Sequence, residues 1–107
     1  MADAGLVVAP ALLLPEVAGA IARRTGEPRL ARRAVDAVLR LPGLRLVAVD
    51  EALARAGARL AGRLRLRGPD AVYVATAAIL RLPLVTWDTE QRERATQVVD
   101  VLVPEGP

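Results

Sequence analysis

Residues 67–77 read RGPDAVYVATA. The Gly-Pro pair at 68–69 separates two predicted helices. Proline suits the first turn of the second helix, because the N–H that it lacks has no helical partner there. The apolar residues that follow predict a helix from residue 69 to about 82, and then a strand at Leu84–Trp87. Asp70 would lie in the first turn of this helix, where the helix dipole favours a negative charge.

The flanking sequence extends this pattern to the whole chain. The predicted strands are Leu6–Ala9, Leu44–Val49, Leu84–Trp87 and Val98–Val103, and the predicted helices are Pro10–Arg24, Arg29–Leu41, Glu51–Arg67, Pro69–Leu82 and a short polar helix or turn at Asp88–Ala95. Apolar strands that alternate with helices predict an α/β fold, in which helices cover both faces of a mostly parallel sheet in three layers. At this length we expect one domain over residues 1–107.

The composition excludes several kinds of chemistry. The 107 residues contain no Cys and no His, and all 15 basic residues are Arg. Without Cys or His the chain has no thiol nucleophile, no usual zinc ligand and no imidazole base. Any reaction must therefore use carboxylates, hydroxyls or guanidinium groups. The net charge of +3 is compatible with binding to a phosphate backbone.

Three acids are candidates for a site, although each has an ordinary structural explanation. Asp88 and Gln91 have the spacing of a helix capping box, Asp70 suits a helix dipole, and Glu16 would be unremarkable if it faced water. Taken together, the starts of two helices and the end of one strand could lie at the carboxyl edge of one sheet, which would place the three acids close to one another. Carboxylates gathered there repel one another, and Mg²⁺ or Mn²⁺ would relieve that repulsion. This arrangement favours metal-assisted hydrolysis of a phosphodiester.

Three segments carry a resemblance to a known family. Residues 68–77 resemble the G-x-D-A-x-x-x-A-x-A helix of PIN domains, residues 84–88 (LVTWD) resemble the following strand that ends in T-x-D, and residues 10–17 (PALLLPEV) resemble the early P-x-x-x-x-E-V helix. The resemblance implies a VapC-like, Mg²⁺- or Mn²⁺-dependent ribonuclease that is the toxin of a toxin–antitoxin pair. We expect a cytoplasmic protein, because the sequence shows neither a membrane segment nor a signal peptide. In that family four acids form the metal pocket. Glu16, Asp70 and Asp88 match the second, third and fourth, and Thr86 matches the hydroxyl residue that orders the pocket or is simply a β-branched strand residue.

The first acid of the family has no counterpart in the sequence. PIN domains begin with a strand that ends in Asp and is followed by a helix, and both precede the strand found here at Leu6. The resemblance therefore implies an N-terminally shortened domain, because Asp3 precedes that strand and cannot replace the missing acid. Absence of the central strand would leave unpaired backbone groups, which predicts association with a partner, a second copy or a rearranged packing.

The function predicted from the resemblance has two forms. The first is an RNA-cleaving toxin with a cognate antitoxin and a tendency to form homodimers. The alternative is a non-catalytic binding module of PIN origin, which would still bind an antitoxin-like partner or an intact copy but would not cleave RNA. We expect no membrane segment, because the longest apolar run, Leu6–Leu14, is broken by Pro10 and is too short. Arg55, Arg59 and Arg63 form a stripe on one helix that either follows RNA phosphates or is a solvated face.

Overall fold

The computed structural model describes residues 6–104, so Asp3 lies outside this range. The described residues form strands and helices in the predicted order, which confirms the mixed α/β class. Their bounds are β1 Val7–Pro10, α1 Leu13–Thr25, α2 Pro28–Leu39, β2 Leu44–Val47, α3 Glu51–Leu64, α4 Gly68–Leu80, β3 Leu84–Val85, α5 Thr89–Ala95 and β4 Val101–Leu102. The chain divides into two compact units, one up to Ala48 and the other from Val49 onward.

The first unit is a parallel strand pair with a helical crossover. β1 pairs with β2 in a register that places Val7 opposite Leu44. Parallel strands cannot be joined by a tight hairpin, and α1 and α2 supply the long connection. α1 ends at Gly26, whose positive φ of 70° suits glycine and whose N–H donates to the Ala22 carbonyl at 2.7 Å.

Burial in this first unit is shallow. Ala9, Pro10 and Ala31 are its buried residues within the described range, and α1 has none. Leu13 and Val17 lie four positions apart on one apolar face of α1, and both are only partly buried. These helices therefore gain less from burial than helices with a filled core would.

The second unit has the better-formed core. One cluster of buried residues forms this core: Leu64, Leu66, Ala71, Val74, Ala77, Leu84 and Ala95. α3 and α4 pack closely at Gly57, where an added Cβ would lie 3.2 Å from the Cγ2 atom of Val72. β3 and β4 form a short parallel pair, with Leu84 opposite Val101. This unit contains both Asp70 and Asp88, so a filled core lies beneath two of the three candidate acids.

The four strands form two pairs, β1–β2 and β3–β4, in the described part of the chain. All pairing in them is parallel, as predicted. β1 has the predicted length but lies one residue later in the chain, and β2, β3 and β4 are shorter than predicted. The predicted start of the last strand at Val98 is wrong, because the N–H groups of Val98 and Val99 donate to the Ala95 carbonyl at 2.9 and 3.0 Å. The chain is still turning there and becomes extended only at Val101.

α3 and α4 both end earlier than their sequences predict. The helices were expected to reach Arg67 and Leu82, but they stop at Leu64 and Leu80. Each is followed by an arginine in the left-handed backbone region, with φ of 57° at Arg65 and 56° at Arg81. The usual sequence signal for this conformation is glycine or asparagine, so arginine gave no sign of a helix end.

Arg81→Gly is expected to raise the free energy of unfolding by roughly 0.5–1 kcal/mol, because glycine avoids most of the steric cost of the left-handed conformation. Urea denaturation measures this change. The control is Arg59→Gly, which places glycine in the middle of α3 and is expected to lower stability by a similar amount. Equal losses in both variants would contradict the left-handed conformation at Arg81.

Candidate active site

Asp70 lies in the first turn of α4, beside the residue that precedes the helix. Arg67 is the N-cap residue and has extended backbone, with φ −64° and ψ 151°. Its Nε atom lies 3.6 Å from Oδ2 of Asp70, and the Asp70 side chain is 30% exposed. The carboxylate is thus held at the positive end of the helix dipole while it stays within reach of solvent.

Asp88 follows β3 and has two contacts through its two carboxylate oxygens. Oδ1 accepts a hydrogen bond from the backbone N–H of Gln91 at 2.9 Å and so caps α5. Oδ2 lies 3.9 Å from Nη2 of Arg67, and the side chain is 43% exposed. The capping oxygen and the oxygen that faces Arg67 are different atoms. A structural role therefore leaves the second oxygen available for another ligand.

Asp70 and Asp88 converge on the guanidinium of Arg67. The two acids are 18 positions apart in the sequence, yet each has an oxygen within 4 Å of this one side chain. The start of α4 and the end of β3 therefore lie close to each other in the second unit. Exposed ion pairs of this kind stabilise a fold only weakly, so we do not attribute the convergence to their energy.

Thr86 positions the backbone of Asp88. Its Oγ1 atom accepts a hydrogen bond from the Asp88 N–H at 3.0 Å, and its own N–H donates to the Leu102 carbonyl at 3.1 Å. In the capping box suggested by the sequence, the Gln91 side chain would have accepted from the Asp88 N–H, and the hydroxyl of Thr86 does so instead. Thr86, which directly follows β3, thus connects the end of this strand to Asp88.

Glu16 lies in the other unit, in the first turn of α1, and its residue is exposed. Among residues 6–104, no group of three or more acidic side chains is arranged so that it could hold a metal ion. The arrangement that the structure provides in the second unit is the pair Asp70 and Asp88. The roles of all three acids as metal ligands stay predictions.

The chemistry of this pair fits a hard divalent cation. Carboxylate oxygens are the ligands that Mg²⁺ and Mn²⁺ prefer, and such ions keep several waters, which partial exposure of both acids permits. A guanidinium already lies against the two carboxylates, which shows that they attract positive charge. The Arg67 side chain is 75% exposed and is not confined by packing, so it could move aside for an ion.

Sequence reasoning missed two residues at this site, Arg67 and Trp87. Arg67 precedes Asp70 by three positions, which is a spacing that brings side chains together on a helix. Trp87 directly precedes Asp88 and is exposed, which is unusual for so large an apolar side chain. In both cases the local signal was present, but only the structure shows that Arg67 contacts both acids and that Trp87, next to Asp88, is exposed.

A cleft of about 550 Å³ lies at the other end of the β3–β4 pair. Arg81, Leu82 and Asp100 line it, and each of them precedes the strand that follows it in the chain. Asp70 and Asp88 instead lie at the carboxyl end of these strands. The cleft is therefore separate from the acidic pair, and Asp100 can serve as a control acid.

The arginine stripe on α3 is solvent-facing. Arg55, Arg59 and Arg63 are all exposed, and Arg55 pairs with Glu51 at 2.7 Å within the same helix. Arg94 is more informative, because its guanidinium donates to the carbonyl of Arg65 and pairs with Glu90 at 3.2 Å. It thereby ties α5 to the turn between α3 and α4.

Two substitutions of Asp88 separate its capping role from its charge. Asn caps a helix about as well as Asp does, so Asp88→Asn is expected to keep the stability of the protein while it removes the negative charge. Asp88→Ala removes both and is expected to lower the free energy of unfolding by about 1 kcal/mol. Urea denaturation checks the stability, and binding of Mn²⁺ checks the charge. Equal destabilisation by the two substitutions would show that the carboxylate, rather than its capping oxygen, holds α5 in place.

No helix within residues 6–104 is long and apolar enough to cross a membrane.

Comparisons with curated proteins and with solved structures gave no match. Comparison with protein families matches the PIN domain over residues 1–97, which includes all three predicted acids. PIN domains are a nuclease family, and they are generally Mg²⁺-dependent ribonucleases. Since the match covers most of the chain, this protein belongs to the PIN domain family.

Proposed function

We propose that the protein hydrolyses phosphodiester bonds in RNA with Mg²⁺ or Mn²⁺. The observation that carries this proposal is the convergence of Asp70 and Asp88 on the guanidinium of Arg67, at the carboxyl end of β3. Membership of a nuclease family supports it. The composition supports it as well, because a chain without His or Cys leaves carboxylates as its main candidates for acid–base and metal chemistry.

Each residue of the site has a proposed part. Asp70 and Asp88 would hold the ion, the resemblance assigns Glu16 as a further ligand, and Thr86 would keep Asp88 in position through the hydrogen bond to its N–H. The ion, when bound, supplies Lewis-acid activation of the phosphoryl group and a more acidic attacking water. Arg67 would turn from the carboxylates towards a phosphate oxygen, to which a guanidinium binds well.

The proposal also covers the assignment of the three acids as site residues and the treatment of the chain as one functional domain. The resemblance assigns the family's second, third and fourth acids to Glu16, Asp70 and Asp88, and it assigns no residue to the first. The family match runs through both compact units, which supports the treatment of residues 1–107 as a single PIN-type domain.

The narrower assignment is to the VapC-like toxins. The motifs at residues 68–77 and 84–88 support it, since they resemble the helix and strand patterns of PIN domains, many of which act as toxins of this kind. The proposed partners are a cognate antitoxin and a second copy of the chain, and the proposed place of action is the cytoplasm, where the RNA would be found. Growth arrest on expression, relieved by the product of a neighbouring gene, would support the toxin assignment.

The test of the proposed function is cleavage of a labelled single-stranded RNA by the purified full chain. We expect cleavage in the presence of Mg²⁺ or Mn²⁺, loss of cleavage with EDTA, and recovery when the ion is added in excess. Cleavage that survives EDTA would contradict the proposal. Tight binding of RNA without cleavage under any of these conditions would instead support the alternative, a non-catalytic binding module.

A further inference from the structure

Trp87 is a large apolar side chain that the fold leaves uncovered. It is the only tryptophan in the chain, and its residue is 68% exposed. Burial of such a side chain is a major source of stability in a small protein, so an exposed tryptophan beside a candidate site suggests a contact with a ligand. Other exposed apolar residues are aliphatic and lack its flat aromatic face.

The indole ring of Trp87 is fixed at one edge. Its Nε1–H donates to the backbone carbonyl of Pro104 at 3.1 Å, which uses the only hydrogen-bond donor of the side chain. What remains available for a ligand is the aromatic face. Because the ring is already anchored, less conformational entropy is lost when a ligand stacks on it.

The position of Trp87 defines the part of a substrate that it could reach. It directly precedes Asp88, so the two Cα atoms are about 3.8 Å apart. Asp88 has extended backbone, and successive side chains on extended backbone point to opposite sides. We therefore expect the indole to diverge from the carboxylate pair and to lie beside it. Such a ring would contact a nucleotide next to the scissile bond rather than the reacting phosphate.

We propose that Trp87 stacks on an unpaired base that flanks the scissile phosphodiester and thereby positions the RNA. This inference rests on the proposed function, because it assumes that the acidic pair is the reacting centre. Every base has an aromatic face, so stacking tolerates sequence, whereas the bases of a duplex are already stacked on one another. The exposed Arg67 would attract the adjoining backbone. Trp87 is then a substrate-positioning residue.

The first experiment uses Trp87 itself as the probe. The full chain is titrated with a 2′-O-methyl oligoribonucleotide, which resists cleavage, and intrinsic tryptophan fluorescence is followed. We expect quenching by the single strand and little quenching by the same sequence annealed to its complement. Quenching of equal size by both would overturn the proposal. A blue shift that depends on protein concentration alone would also overturn it, because it would show that a second copy covers the ring.

The second experiment measures affinity by the anisotropy of a labelled oligonucleotide. Trp87→Ala is expected to weaken binding of the single strand roughly 5- to 150-fold, in line with one stacked base. Trp87→Phe should recover most of the loss. The control is Ile79→Ala, which removes a large exposed apolar side chain from α4 and should bind as the unaltered protein does. In cleavage assays Trp87→Ala should raise KM more than it lowers kcat.

The outcomes separate this inference from the proposed function. Metal-dependent cleavage with unaltered affinity in Trp87→Ala and no quenching would overturn the role of Trp87 and leave the nuclease proposal standing. Quenching and Trp87-dependent binding without cleavage would support the stacking contact and contradict the nuclease proposal. The quenching is measured on the unaltered chain, so a variant that fails to fold would not remove the test.

Discussion

Asp70→Asn is expected to lower the rate of RNA cleavage at least about 100-fold, which is the scale of effect seen when one preorganised charged or polar group is removed from an active site. The substitution keeps the size of the side chain and removes its charge, so Mg²⁺ or Mn²⁺ would lose one of its proposed ligands. The stability of the fold should change by less than about 1 kcal/mol, since an acid in the first turn of a helix contributes only that much. Cleavage rate and urea denaturation measure the two quantities separately.

The matched control for Asp70 is Asp100→Asn. Asp100 is exposed, belongs to the same unit and lies at the opposite end of the β3–β4 pair. We expect this variant to keep the full cleavage rate. The two variants can also be compared through Mn²⁺, which should raise the stability of any variant that still binds it, by about 2.7 kcal/mol at 100 times its Kd. An Asp70→Asn variant that cleaves at the full rate would remove the metal assignment.

Leu64→Ala is expected to lower the free energy of unfolding by about 2–5 kcal/mol, the range for truncation of a buried leucine. Leu64 ends α3, is 4% exposed and belongs to the core of the second unit, together with Val74 and Ala95. Its removal would leave a cavity beneath the elements that position Asp70 and Asp88. The loss should appear as a lower denaturant midpoint with an unaltered slope.

The control for Leu64 is Leu80→Ala, because the two leucines occupy equivalent places. Leu80 ends α4 and is also followed by an arginine in the left-handed backbone region, but it is 43% exposed. Truncation there should cost less than about 1 kcal/mol. Equal losses at the two positions would show that the core of the second unit is not centred where the structure places it.

The local features of the fold could be read from the sequence. Aspartate is a favoured residue at a helix start, and Asp50 caps α3 through its Oδ1 atom, which lies 2.9 Å from the backbone nitrogen of Leu53. The Gly-Pro pair at residues 68–69 marks the start of α4, and the order of strands and helices agrees with the pattern of apolar residues. These features depend on interactions within a few positions along the chain, and such interactions leave a signature in the sequence.

The features that the sequence did not predict depend on interactions beyond a few positions along the chain. Arg65 and Arg81 end their helices in a conformation that arginine rarely adopts, so nothing local marked those ends. The turn after α5 delays the last strand because the Ala95 carbonyl accepts from two successive N–H groups. Both departures depend on how the chain packs around the turn, and the local residue types do not indicate that packing.

The sequence by itself determined the class of fold, the exclusion of thiol and imidazole chemistry, and three acids whose spacing resembles the PIN pattern. Only the tertiary structure decided that Asp70 and Asp88 meet at the guanidinium of Arg67, and that Trp87 stands uncovered beside them. The physical reason is distance along the chain. A helix start and a strand end that are 18 positions apart are brought together by the packing of α4 against the core, and a local sequence pattern carries no record of that packing.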